Sequence, residues 1–248
     1  MLLLIDCGNT RVKWAFARTD AEAGVWLAHG AVLHAELATL AACWRASGLQ
    51  ALRALMSNVA GAAIGAAVTA QLQQFAPAIA LDAFVSLPAC AGLRNGYRNP
   101  AQLGSDRFAA AIGAHTLYPG RAVIIATCGT ATTIDAVNAD GVFIGGMIVP
   151  GLGLMASSLA RNTAQLPQVA ENRAMPSGFA DNTDDAIVAG CIGAQAGAIE
   201  RAVALLQADC CLLSGGAAPY VAPALRLPYQ LIDNIVLLGL HAASLSKE

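Results

Sequence analysis

The first apolar run, Leu2-Leu3-Leu4-Ile5, has the length and character of a short buried strand. It ends in Asp6, Cys7 and Gly8, followed by the small polar residues Asn9 and Thr10. Val12, Trp14 and Phe16 then alternate with Lys13 and Ala15, which predicts a second strand after a tight turn. The same arrangement returns in Val123-Ile124-Ile125-Ala126-Thr127, a Cys128-Gly129 turn with Thr130, and a return strand through Ala131, Thr132, Thr133, Ile134 and Asp135. The two Cys-Gly pairs lie about half the chain apart. Two such hairpins facing each other would line a cleft with backbone N–H groups, hydroxyls and carboxylates. That inventory suits the phosphate tail of a nucleotide and its metal.

Between the hairpins, Val25 to Leu33 reads as a strand, Leu37 to Leu49 (with Trp44) as a helix, and Ala54 to Val59 as a core strand. Ala62 to Phe75 reads as a helix and Leu81 to Leu87 as a strand. Alternating strands and helices predict an α/β fold. A loop from Ala91 to Leu103, carrying Arg94, Tyr97 and Arg98, leads into Gly104-Ser105-Asp106-Arg107. An Ala-rich helix to Leu117 follows, with Ser105 or Asp106 near its N-cap. Pro119-Gly120 marks a boundary, so two domains are expected, 1–118 and 119–248.

Beyond the second hairpin a strand runs from Gly141 to Val149, and its Gly145-Gly146 pair marks close approach of a ligand or another backbone. Leu154 to Gln165 reads as a helix and Leu166 to Ala180 as a loop. Asp181 to Asp184 can cap a helix to about Leu206, on which Gly190, Gly193, Ala194 and Gly197 allow close packing, internally or across a dimer. Cys211 to Gly216 reads as a strand with a glycine turn, and Ile235 to Leu245 as a closing helix.

Composition narrows the class. The chain has 248 residues, 56% hydrophobic and only 12% charged, with a net charge of −2. Lysine appears only at Lys13 and Lys247. So few cations and no basic run argue against nucleic-acid binding. No apolar run reaches the roughly 20 residues of a membrane span, and Asp6 interrupts the first one, so neither a membrane segment nor a signal peptide is expected. Seven cysteines without CxxC spacing point to reduced thiols and a cytoplasmic setting. The four histidines show no paired ligand spacing and read as structural.

Each motif also has a bland reading. The Asp6–Thr10 turn alone is compatible with an ordinary β-turn, and its near-repeat favours phosphate binding. Neither lysine follows a glycine, which excludes a Walker A loop. Gly151-Leu-Gly153-Leu-Met-Ala156, with Glu171 downstream, matches a relaxed dinucleotide fingerprint. Pro150 is expected to break the strand-to-helix turn that fingerprint needs. Gly104–Arg107 is either a plain helix start or a working site. In the second case the helix dipole keeps Asp106 ionised to accept a hydroxyl proton, and Arg107 grips an oxyanion.

Taken together, Asp6-Cys-Gly-Asn-Thr10, Tyr97-x-Asn99-Pro100, Gly104-Ser-Asp-Arg107, Gly129-Thr-Ala-Thr-Thr133, Gly145-Gly-x-Ile-x-Pro-Gly151, Asn182-Thr183 and Ser214-Gly-Gly216 resemble the type III pantothenate kinases in order and spacing, over essentially the whole chain. The resemblance implies a two-domain actin-like, ribonuclease H-like kinase fold with a duplicated mixed sheet, assembled as a homodimer. It implies ATP-dependent phosphorylation of pantothenate, the first step toward coenzyme A. In such kinases the first hairpin holds the ATP phosphates, here Asp6, Cys7, Gly8, Asn9, Thr10, Arg11, Val12 and Lys13. Gly129 and Thr130 contact the nucleotide from the second. Gly104, Ser105, Asp106 and Arg107 hold pantothenate, with Asp106 as general base. Tyr97 lines the pocket, and Thr183 reaches it from the partner subunit. Many members carry an Asp two residues before the second Gly-Thr, where it helps bind a monovalent cation. Here that position is Thr127, whose hydroxyl lacks the charge but can still ligate K⁺ or NH₄⁺.

The expected chemistry is in-line transfer of the γ-phosphoryl group to the primary hydroxyl of pantothenate. Asp6 is expected as the Mg²⁺ carboxylate, and backbone N–H groups around Gly8 and Gly129 as phosphate ligands. Two alternatives stand beside it. One is a kinase of the same fold acting on another small molecule. The other is a nucleotide-binding regulator without turnover, against which Asp106 and Arg107 argue.

Overall fold

Leu2–Cys7 (β1) is buried along its whole length because it has a strand on each side. Arg11–Ala17 (β2) returns antiparallel, with Asp6 opposite Lys13 and Cys7 opposite Val12. Trp26–Leu33 (β3) adds to β2 as an edge strand whose side chains alternate in exposure. Arg53–Asn58 (β4) pairs parallel with β1 and sets Ser57 beside Asp6, and Ala80–Ala83 (β5) completes the order β3-β2-β1-β4-β5. Ala89–Cys90 (β6) and Leu93–Asn95 (β7) form a small antiparallel ladder inside the stretch expected to be loop.

The second hairpin is Val123–Cys128 (β8) and Ala131–Val137 (β9), followed by Val142–Pro150 (β10). Cys210–Ser214 (β11) lies parallel to β8 and Gln230–Leu231 (β12) parallel to β11. The order β12-β11-β8-β9-β10 therefore repeats the first sheet strand for strand. The duplication visible in the two hairpins extends to all five strands. Gly145, at φ +144, sits at a bulge in the β9–β10 ladder, which is what the Gly145-Gly146 pair marks.

The structure is a computed structural model that describes residues 1–170, 173, 176 and 178–246. The helices are Leu40–Ala46 (α1), Ala62–Phe75 (α2), Ser105–Leu117 (α3), Leu152–Asn162 (α4), Thr183–Leu206 (α5), the short Ala218–Val221 (α6) and Ile235–Leu245 (α7). Half-buried Phe75 of α2 packs edge-on, at ring separations of 6.0 and 5.8 Å, against Phe16 and Trp44, which are fully buried in the first core. Burying an aromatic of this kind is worth about 1.5–3 kcal/mol.

The chain divides into two units, Met1–Pro119 with Asn234–Glu248, and Gly120–Asp233. The boundary near 119 thus has a second crossing that the division into 1–118 and 119–248 lacks. The closing helix α7 joins the first unit because it is cut to fit α3. A Cβ on Gly239 would overlap the Ala109 carbonyl oxygen, and one on Gly113 would stand 2.7 Å from the Ile235 carbonyl oxygen. His241 ties α7 to the strand ends: its Nδ1 accepts from the Gly24 N–H at 3.3 Å and its Nε2 donates to the Arg18 carbonyl at 2.8 Å.

In the second unit, Ile192 and Ile199 of α5 share one core with Ile124, Ala126, Ile134 and Leu213 of the sheet. At 24 residues α5 is long and apolar enough, by length and composition, to cross a membrane, although polar and charged residues interrupt its apolar run. The same apolar residues supply the buried face of a core helix here.

Candidate active site

Three short elements of the first unit converge on Asp6. The carboxylate is 7% exposed at the end of β1, where the buried strand must turn. Its Oδ1 is buried and has no hydrogen-bond partner. Burial pushes its pKa up to about 7; Lys13 across the ladder pulls it down and the charge of Asp106 pushes it further up. Asp106 is therefore close enough to be felt.

A direct link runs from this strand to α3. Ser57, beside Asp6 on β4, is fully buried and its hydroxyl lies 2.8 Å from that of Ser105. Ser105 is thus occupied with the sheet, and the N-cap of α3 is Gly104, which has no side chain to cap with. Ser105 and Asp106 lie next to the cap, as expected, and neither side chain serves as it. Asp106 instead takes the N–H of Arg107 on Oδ1 at 2.8 Å. A Cβ on Gly104 would stand 2.8 Å from that same oxygen, so glycine there leaves the carboxylate its place.

Asp106 is also corrected in its charge balance. Burial raises its pKa and outweighs the opposing Arg107 N–H and charge, whereas the helix terminus was expected to hold it down. A raised pKa makes the carboxylate a stronger base near neutrality. Arg107 is buried and donates from Nη1 to the Tyr97 hydroxyl at 2.9 Å, with its guanidinium carbon 5.7 Å from the Tyr97 ring centre. Tyr97 is held in turn by its N–H on Asn95 Oδ1, and Asn99 caps the following turn through the Ala101 N–H. Asp6, Ser105, Asp106, Arg107 and Tyr97 thus belong to one unit and are linked by contacts within it.

The phosphate turns are more selective than the sequence suggests. Cys7 and Val12 are wholly buried, so only their main chain can serve a ligand. The Gly8 N–H donates to Arg11 O at 3.2 Å and the Gly129 N–H to Ala131 O at 3.0 Å. Both glycine amides close their own turns, which leaves the neighbouring amides of each turn as the expected phosphate ligands. Asn9, Thr10 and Arg11 are exposed in the first turn, as are Gly129 and Thr130 in the second.

Gly129, Thr130, Thr127 and Thr183 belong to the second unit. The second turn is wedged by two glycines. A Cβ on Gly151 would overlap the Gly129 carbonyl oxygen, and one on Gly215, at φ +94, would overlap that of Cys128. Pro150 ends β10 and Gly151 caps α4 directly, so the strand-to-helix turn exists despite the proline. Its glycine is filled by the protein's own hairpin, and Glu171 lies outside the described residues.

Sequence reasoning missed Gln195. It is fully buried on α5, accepts from Thr132 Oγ1 at 2.9 Å and donates to Pro150 O at 3.1 Å. A glutamine in an otherwise apolar helix stripe is the signal that could have found it. Thr127 is half-buried opposite Thr133, and Asp135, buried opposite Ile125, lies on the same face of the ladder two pairs back. Thr183 opens α5, exposed, behind the Asn182 N-cap. It lines a groove of about 820 Å³ between α4 and α5 with Met155, Leu159, Ile187 and Cys191.

The family model described as type III pantothenate kinase matches residues 2–205. A type III pantothenate kinase of Herminiimonas arsenicoxydans is 54% identical over 99% of this chain and 98% of its own length. One of Janthinobacterium sp. (strain Marseille) is 53% identical over the same shares. Among solved structures, the activator of 2-hydroxyisocaproyl-CoA dehydratase from Clostridium difficile, with bound ADPNP, superposes at TM-score 0.55 with 12% identity. It covers 98% of this chain and 92% of that one. The ethanolamine utilization protein EutJ of Carboxydothermus hydrogenoformans superposes at 0.56 with 13% identity, covering 98% and 88%. These two share the fold, the actin-like architecture of two mixed sheets flanked by helices.

Proposed function

The chain belongs to the type III pantothenate kinase family, and from that premise we propose how its residues transfer the γ-phosphoryl group of ATP to pantothenate in coenzyme A biosynthesis. The observation that carries the reading is the half-buried Asp106 carboxylate, raised in pKa, with buried Arg107 at its side and Asp6 within electrostatic reach. Asp106 takes the proton of the pantothenate primary hydroxyl as its oxygen attacks the γ-phosphorus, a contribution of about 10²–10⁴-fold. Arg107, steadied by Tyr97, grips the pantothenate carboxylate or a developing phosphate charge. Gly104 and Ser105 shape the floor. The turn from Gly8 to Arg11 and the Thr130 tip position the phosphates, and Lys13 supplies charge beside Asp6.

Asp6 fits a divalent cation: its Oδ1 is buried and lacks a partner, a state a metal ligand relieves. Mg²⁺ held there supplies neutralisation of phosphate charge. Thr127 fits a weaker cation, since a hydroxyl with carbonyl oxygens suits K⁺ or NH₄⁺ better than a divalent ion. The working assembly is a homodimer. Gly190, Gly193 and Gly197 have open space where a Cβ would be, and Phe179 is wholly exposed near Thr183, a surface fit for a second copy. In this reading Thr183 serves the partner's pantothenate pocket, α5 is a core helix, the enzyme is cytoplasmic, and neither nucleic acid nor membrane takes part.

The test is ADP release in a coupled assay with pantothenate, with and without K⁺ or NH₄⁺. Turnover that falls about 10²-fold or more in Asp106→Asn supports the base. No pantothenate-dependent ADP release under any cation overturns the reading. Thr183→Ala is expected to raise the KM for pantothenate.

A further inference from the structure

His34 reaches the first turn from the far end of β3. Its Nε2 lies 2.9 Å from the Gly8 carbonyl oxygen, and its own N–H reaches Thr10 O at 3.4 Å. A carbonyl only accepts, so the imidazole presents Nε2–H to Gly8. The ring is not needed for the turn that His34 itself begins. That turn is capped by Glu36, whose Oε2 takes the Leu33 N–H at 3.1 Å.

The Gly8 carbonyl and the Asn9 N–H belong to one planar trans peptide and point in opposite directions. Anchoring the carbonyl on His34 therefore aims the Asn9 amide to the opposite side of the turn. With the Gly8 N–H spent on Arg11 O, the Gly8–Asn9 peptide is the next amide the turn has to offer.

We propose that His34 is a positioning residue of the nucleotide site: it fixes the Gly8–Asn9 peptide so that the Asn9 N–H is presented to a phosphate oxygen of ATP. The inference rests on the reading of the first turn as a phosphate site. His34 itself touches neither substrate, and its effect is carried by one backbone plane.

Glutamine places its Nε2 amide where histidine places Nε2–H, so His34→Gln keeps the donor and His34→Leu removes it. The probe is the non-hydrolysable analogue AMPPNP with Mg²⁺, titrated calorimetrically into each full-length protein. Steady-state KM values for ATP and pantothenate are measured alongside. His34→Leu is expected to weaken AMPPNP about tenfold and raise the KM for ATP in parallel, with the KM for pantothenate unmoved and His34→Gln close to wild type. Wild-type affinity in His34→Leu, or equal losses in both variants, would overturn the proposal. If His34→Leu does not fold, Asn9→Pro removes the same N–H without touching the ring. Its binding AMPPNP like wild type would equally overturn it. A wild-type protein that binds no AMPPNP brings down the phosphate reading of the turn itself, which separates the two failures.

Discussion

Two residues before the turn glycine, the first hairpin carries Asp6 and the second carries Thr127. Around them the two sheets are laid out alike. Asp6 has Lys13 opposite on the antiparallel side and Ser57 on the parallel side; Thr127 has Thr133 and Ser214 in the corresponding places. The first site sets a lysine across the ladder from a buried carboxylate, the second a row of hydroxyls. Support differs as well. The first turn is clipped by a partly exposed histidine and has no glycine wedged against it, since a Cβ on Gly8 would stand 3.4 Å from Arg11 O, an ordinary contact. The second is locked by Gly151, Gly215 and the buried Gln195. The duplicated fold thus differs between its copies, with a buried carboxylate at one turn and tight glycine packing at the other.

The largest expected effect breaks the chemical half of this contrast. Asp6→Asn should lower turnover by about 10²–10³-fold, the scale of losing one electrostatic contact to the transition state. Thr127→Val should cost less than about tenfold on the same scale. Because Asp6 is a buried carboxylate with an orphaned oxygen, Asp6→Asn should also melt at a higher temperature than wild type in metal-free buffer. Matching losses of turnover at the two positions would show that the hairpins share the chemistry.

Next come the glycines. Gly151→Ala should destabilise by about 1–3 kcal/mol or more, because the added methyl overlaps backbone that cannot swing away. Gly8→Ala should move Tm little. Gln195→Leu strands Thr132 Oγ1 and Pro150 O and should cost about 1–3 kcal/mol in urea unfolding. Its KM for ATP should rise only as far as the second turn loosens.

The smallest effect concerns pH and should fall on the first unit alone, because His241 is the one wholly buried histidine among the described residues. Burial lowers its pKa below the ordinary value of 6.5. The unfolded chain therefore binds the proton more readily. The stability held above pH 6.5 is lost as pH falls from there through the folded value. Hydrogen exchange at falling pH should open 18–24 and α7 before any strand of the second unit, and His241→Gln should weaken that dependence, the rest coming from His115, whose pKa burial also lowers.

Much of this was legible in the chain. Ala62–Phe75 and Ile235–Leu245 were read to the residue, because their apolar spacing is uninterrupted and their ends are marked. Both hairpins were legible from alternation around a Cys-Gly turn. Asp6, Asp106 and Arg107 stood out because a charge at the end of an apolar run or helix start is conspicuous. What could not be read depended on partners distant in sequence. His34 looked structural because Gly8 lies 26 residues away, and Gln195 stands 63 residues from Thr132. The start of α3 was legible, but not what Ser105 does there, because it bonds to Ser57, 48 residues earlier. The home of α7 rests on Gly113 and Gly239, whose meaning appears only when the two helices touch.

That last contact sets an order of events during synthesis. The face of α3 around Gly113 is made early, yet the helix that covers it is translated only after 120–233. Every residue of 120–233 has been translated by then, so the second half of this duplicated fold can close while the first still waits for its final turns. The unit that holds Asp106 therefore waits on a helix made after the whole of the other unit.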